Sequence, residues 1–161
     1  MKKILKIETL DENVQIPFYA HKDDAGMDIR SNEDVVLKPG ETKVIKTGFK
    51  LSIPVGYEVQ IRPRSGLSYN TPLIIPNSPG TIDSGYKDEI GVIMRNTSRE
   101  GKNTYLISEK GCKDGIYEIK KGDRIAQMIL SKIDRIEFEL TTDIEDEDNN
   151  RGGGLGHSGV K

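Results

Sequence analysis

Between Asn77 and Tyr86 the chain reads Asn-Ser-Pro-Gly-Thr-Ile-Asp-Ser-Gly-Tyr, an amide, a carboxylate and an aromatic ring within ten residues. Pro79 fixes its own φ, while Gly80 and Gly85 open backbone angles closed to other residues. An extended turn of this kind can present Asn77, Asp83 and Tyr86 to one small ligand. The amide reads the hydrogen-bonding edge of a base, the carboxylate handles a water, and the ring packs on a sugar or base. That is the equipment of a nucleotide-hydrolysing site. Taken alone, Asp83 reads first as an ordinary turn aspartate, because Asp-Ser-Gly is common turn chemistry.

Four further segments carry candidate chemistry. Arg62-Pro-Arg-Ser-Gly66 offers two guanidinium groups, a hydroxyl and a glycine N–H, suited to phosphate or simply to an exposed basic turn. Asp28, in Ala25-Gly-Met-Asp-Ile29, can meet a metal ion through water or serve as a turn hydrogen-bonding residue. Gln127 interrupts an apolar run, where an amide needs either a backbone carbonyl or a ligand. The tail Arg151-Gly-Gly-Gly-Leu-Gly-His-Ser-Gly159 is too lean to fold alone. It reads as a solvated end, or as an arm whose glycine N–H groups and Arg151 fork order on a phosphate. His21 and His157 lack metal-ligand spacing. No Gly-x-Ser-x-Gly nucleophile motif is present. Cys112 is the sole cysteine, which excludes an intramolecular disulfide, and between Gly111 and Lys113 it reads as an incidental thiol near solvent.

The elements that must position these residues are strands. Tyr57, Val59 and Ile61 alternate with polar residues; Ile90, Val92 and Met94 repeat the period, as do Ile136, Phe138 and Leu140. Val44–Leu51 and Arg124–Leu130 are further strand candidates. Lys38-Pro-Gly40, Ile53-Pro-Val-Gly56 and Lys121-Gly-Asp123 are turn signals. Only Arg64–Tyr69 fits a short helical turn. The fold class is therefore all-β, a sandwich or barrel of short strands. Residues 1–142 are expected to form the β domain, 143–150 an acidic linker and 151–161 the glycine-rich arm. Within the domain, Thr97–Gly115 reads as a long hairpin excursion, either a plain loop or a surface for a protein partner.

Composition narrows the function classes. Hydrophobic residues make up 34% and Trp is absent, a lean core for which oligomerisation would compensate. A formal charge of −2 argues against a general nucleic-acid binder. No apolar run approaches the length of a membrane span, and Lys6 and Glu8 break the signal-like start. A cytoplasmic setting is expected, the host's cytoplasm for a virus-encoded chain.

Read together and in order, the segments resemble the five motifs of the homotrimeric dUTPase family. Ala25–Ser31 is similar to the first, Pro63–Ser68 to the second, Gly80–Tyr86 with its continuation to Asn96 to the third, Gly122–Met128 to the fourth and Arg151–Gly159 to the fifth. The resemblance implies a jelly-roll subunit, a homotrimer with active sites between subunits, and hydrolysis of dUTP to dUMP and pyrophosphate with Mg²⁺ on the triphosphate. That reaction limits uracil incorporation into DNA and supplies dUMP for dTMP synthesis. Asp83 would activate the water that attacks the α-phosphorus. Asn77, Ile82, Tyr86 and Leu155 would hold uracil and deoxyribose. Arg64, Ser65, Gly66, Gln127, Arg151, His157, Ser158 and Gly159 would hold phosphate, and Asp28 would meet Mg²⁺ through water. Leu155 stands where the family usually has an aromatic residue, His157 where a phosphate-binding Ser is common, and Asp88 where a Gly is usual. Deaminating relatives carry a Glu in the strand after the third motif; Ile93 stands there instead.

Overall fold

Period-2 burial organises the chain. The computed structural model describes residues 3–142, so the acidic linker and the arm lie outside the described residues. The strands are β1 (Lys6–Thr9), β2 (Met27–Arg30), β3 (Val35–Leu37), β4 (Thr42–Lys46), β5 (Phe49–Ser52), β6 (Tyr57–Arg62), β7 (Leu73–Ile74), β8 (Gly80–Ile82), β9 (Gly91–Asn96), β10 (Thr104–Leu106), β11 (Ile116–Ile119) and β12 (Arg124–Lys132). One helical turn, α1 (Ser65–Asn70), follows β6 where the sequence allowed one. The all-β expectation therefore holds.

Among the described residues four small sheets share one core, with strand orders β1-β5, β10-β11-β3, β2-β12-β6-β8 and β4-β9-β7. In β6, Val59 and Ile61 turn inward; in β9, Val92, Met94 and Asn96 do so. Val59, Ile61, Val92 and Met94 meet Ile29, Leu37, Ile45, Phe49, Ile119 and Ile125 in a continuous apolar cluster. Each fully buried aliphatic side chain contributes about 1.5–3 kcal/mol. Gly40, Gly56 and Gly122, from the three turn signals, all have left-handed φ. Among the described residues no helix is long and apolar enough to cross a membrane. Cys112 is exposed, as expected.

Three expectations are corrected. The Val44–Leu51 run is two strands, because the chain breaks at Gly48, whose φ is +78°. A Cβ there would stand 2.5 Å from Asn32 Nδ2, so only glycine lets the chain pass. The Thr97–Gly115 excursion is not a hairpin: β10 lies parallel to β11 as an edge strand, a pairing no tight turn can connect. Buried Asn96 clamps its base, donating from Nδ2 to the Leu37 and Gly115 carbonyls at 2.9 and 2.8 Å. Finally, Ile136, Phe138 and Leu140 form no strand and are 79%, 86% and 99% exposed. Their alternation is intact, but a strand needs a neighbouring ladder, and no element within the described residues supplies one.

Candidate active site

The first half of the site is a cavity of about 330 Å³ lined by Asn77, Ile82, Asp83 and Tyr86, together with Glu89 and Ile93. It opens where β8 runs antiparallel to β6, pairing Ile61 with Gly80 and Val59 with Ile82. Gly80 lets the Asn77 amide lie against the strand, since a Cβ there would come within 3.0 Å of Asn77 Nδ2. Upstream, the Ser78–Pro79 peptide is cis.

The turn after β8 is tightly held. The Tyr86 N–H donates to the Asp83 carbonyl at 3.1 Å. The Tyr86 hydroxyl donates to the Glu89 carbonyl at 2.9 Å. Glu89 Oε1 accepts from the Gly48 N–H at 2.8 Å, and the Ile90 N–H donates to the Phe49 carbonyl at 2.9 Å. The break between β4 and β5 thus anchors the rim of the cavity. The Asp83 carboxylate is exposed and has no hydrogen-bond partner among the described residues. It is free to take a water.

The second half centres on Asp28, 7% exposed and the only buried carboxylate among the described residues. Arg64 Nε donates to its Oδ1 at 3.0 Å, Arg124 Nη1 to its Oδ2 at 3.0 Å, and Gln127 Nε2 to Oδ1 at 3.4 Å. Burial alone would raise its pKa. The Arg124 hydrogen bond, the Arg64 charge and hydrogen bond, and the Gln127 amide outweigh burial and hold the carboxyl below its usual range. Arg64 Nη1 also reaches the Arg124 carbonyl at 3.3 Å, so the two guanidinium groups are braced as a pair. Arg64 and Gly66 line a second cavity of about 300 Å³ with Arg124, and Ser65 is exposed at the start of α1.

A β-bulge assembles this cluster. On a regular strand Arg124 and Gln127, three residues apart, would face opposite sides. The β12–β2 register shifts between Arg124 and Ala126: Arg124 pairs with Arg30 and Ala126 with Ile29. The extra residue leaves both Ile125 and Ala126 buried and returns Arg124 to the side of Gln127 and Asp28.

The predicted residues thus fall into two groups. Asn77, Ile82, Asp83 and Tyr86 share one cavity; Asp28, Arg64 and Gln127 share one hydrogen-bond network, beside Ser65 and Gly66. The two cavities have no lining residue in common. β2 and β8 are opposite edges of one four-stranded sheet, roughly 14 Å apart at the usual strand spacing. Arg151, Leu155, His157, Ser158 and Gly159, expected to bind from the arm, lie outside the described residues. Sequence reasoning missed Arg124 and Glu89. Glu89 lay within the third segment and was readable there; Arg124 required the bulge.

The family model for dUTPase matches residues 12–103 and 110–159. The chain belongs to the dUTPase family. It is 43% identical over 156 residues to the deoxyuridine 5'-triphosphate nucleotidohydrolase of Nautilia profundicola, covering 96% of this chain and 98% of that one. The enzyme of the same name from Zymomonas mobilis subsp. mobilis is 40% identical, over 99% of this chain and 100% of its own length. Among solved structures, a mutant Staphylococcus bacteriophage 80alpha dUTPase with dUpNHpp superposes with a TM-score of 0.87 at 36% identity, covering 99% of this chain and 100% of that one. A mutant dUTPase from phage phi11 of S. aureus, solved with a structural Mg(II) ion, superposes with a TM-score of 0.80 at 36% identity over 89% of this chain and 99% of that one. The all-β subunit with its site segments is thus a dUTPase fold, and the chain is an enzyme of that hydrolase family.

Proposed function

We propose that this chain hydrolyses dUTP to dUMP and pyrophosphate in a site between subunits of a homotrimer. The observation that carries the reading is the single cavity shared by Asn77, Ile82, Asp83 and Tyr86. Asp83 orients a water and accepts its proton as the water oxygen bonds to the α-phosphorus. The bond from that phosphorus to the bridging oxygen breaks, and pyrophosphate leaves with the electron pair. Orientation matters as much as proton removal, because a carboxylate is a weak base. Asn77 reads the uracil edge, Ile82 packs on the base, and the Tyr86 ring lies against the deoxyribose, where a 2′-hydroxyl would clash. Arg64, Ser65, Gly66 and Gln127 take the phosphates. The arm, through Arg151, Leu155, His157, Ser158 and Gly159, covers the bound nucleotide.

Two halves that share no cavity on one chain support a site completed by a second copy. Ile93 in the cavity wall supports pyrophosphate release over deamination, because an alkyl group moves no proton. The neighbouring carboxylate, Glu89, is held by the Gly48 N–H.

Among the described residues no group of three or more His, Cys, Asp or Glu could hold a metal ion. Asp28 Oδ2 accepts one protein hydrogen bond and keeps acceptor capacity. That fits Mg²⁺ carried by the triphosphate with Asp28 reached through its waters. When bound, Mg²⁺ neutralises and orients the phosphate chain.

The test is pyrophosphate release from dUTP beside UTP, dTTP and dCTP, with ammonia measured for dCTP. Release from dUTP alone is expected. Equal turnover of UTP would refute the Tyr86 gate, and ammonia from dCTP at a comparable rate would refute the reaction assigned.

A further inference from the structure

The dUTPase family model passes over residues 104–109, yet those residues are not a loose appendage. β10 pairs with β11 in register from Thr104↔Ile116 to Leu106↔Glu118. The next turn is closed by the Glu109 N–H donating to the Leu106 carbonyl at 3.0 Å and the Leu106 N–H donating to Glu109 Oε1 at 2.9 Å. Ile107 packs against the core. The Gly111 N–H donates to Asn70 Oδ1 at 3.2 Å, and Asn70 Nδ2 donates to the Gly66 carbonyl at 2.9 Å. The excursion is therefore tied through one side chain to the Arg64-Ser-Gly segment.

Its tip reaches the phosphate half of the site. Ser108, Glu109 and Lys110 line the same 300 Å³ cavity as Arg64, Gly66 and Arg124. The cavity's cations are Arg30, Arg64, Lys110 and Arg124; its carboxylates are Glu109 and Asp123. Both carboxylates are engaged elsewhere, Glu109 as above and by Lys113 at 3.8 Å, Asp123 by the Lys120 N–H at 2.8 Å. Arg64 and Arg124 are committed in part to Asp28. Arg30 donates one bond to the Gly122 carbonyl, and its buried Nε has no hydrogen-bond partner among the described residues. The Lys110 ammonium has no partner there at all.

We infer that residues 104–110 form an additional wall of the phosphate-binding half, in which Lys110 contacts the β- and γ-phosphates of the substrate and the pyrophosphate product. The inference rests on the assignment of the Arg64 cluster to phosphate. Lys110 is a binding residue here and takes no part in bond making.

The experiment uses the full-length protein and three variants, Lys110→Ala, Lys110→Arg and Arg64→Ala, with inorganic pyrophosphate as inhibitor and dUTP as substrate. Lys110→Ala is expected to raise both the pyrophosphate inhibition constant and the KM for dUTP about three- to tenfold, the scale of one partly exposed charge contact. Its kcat should change less than about twofold, since uniform binding is lost. The effect should shrink in high salt, and Lys110→Arg should restore both constants. Among the described residues Lys110 has no partner to lose, so the thermal midpoint should not move. Unchanged constants for Lys110→Ala, with both raised in Arg64→Ala, overturn the inference alone. Unchanged constants in both variants remove the phosphate assignment as well.

Discussion

The two halves of the site are built in opposite ways. The Asn77–Tyr86 half is contiguous in sequence, and the Glu89 carboxylate and the Ile90 N–H hold its rim to Gly48 and Phe49 at the strand break. The Asp28 half gathers side chains from β2, β12 and the start of α1, up to 99 residues apart, around one buried carboxylate. The first half offers a carboxylate without a partner among the described residues; the second offers cations already pre-arranged. Recognition of a base and activation of a water need a shaped, short-range pocket. Binding a polyanion needs fixed charges, and a buried acid that braces two guanidinium groups supplies that order before the ligand arrives.

The largest effect should come from the free carboxylate. Asp83→Asn is expected to lower kcat by about 10²–10⁴-fold, the range of a lost general base, with dUTP binding kept. Turnover near the unmodified rate would remove the water-activating role. The same lesion tests whether the halves meet across subunits. Asp83→Asn and Arg64→Ala chains, each impaired alone at dUTP well below KM, should recover roughly a quarter of full activity when unfolded and refolded together at equal amounts, by random pairing in a closed ring. No recovery would indicate that each chain completes its own site.

A smaller effect should follow from removing the brace. Asp28→Ala leaves two guanidinium groups and an amide without their shared acceptor. It should cost on the order of 1–3 kcal/mol of stability, because Arg64 and Arg124 retain access to water. It should also raise the KM for dUTP more than it lowers kcat, which steady-state kinetics would separate. A loss in kcat alone would assign Asp28 to the chemical step.

The same contrast explains what could be read from the sequence. Asn77, Asp83 and Tyr86 were legible because one turn carries them. Strands β6 and β9 were legible because their apolar residues alternate, and β12 because an apolar run follows the Lys121-Gly-Asp123 turn signal. Arg124 was not, since its face depends on a bulge set by register against β2, a long-range property. The parallel β10 escaped for the same reason: three residues hold no periodicity, and only pairing with β11 makes them a strand. Ile136, Phe138 and Leu140 show the converse, a correct period without a pairing strand among the described residues.

The smallest expected effect is a pH dependence confined to the second half. Asp28 has its folded pKa depressed below the unfolded value of about 3.9. A depressed carboxylate binds fewer protons folded than unfolded, so its contribution to stability is full above the unfolded pKa and is lost as pH falls through the folded one. The urea midpoint of the unmodified chain should therefore fall more steeply than that of Asp28→Asn as pH drops from neutral to below the ordinary carboxylate value of about 3.9. The amide keeps an acceptor for Arg64 or Arg124 but has no proton to gain in that window. Parallel curves for the two proteins would mean that the guanidinium pair does not hold Asp28 ionised. The pre-arranged charge that distinguishes this half from the Asp83 cavity would then have to be organised by the ligand.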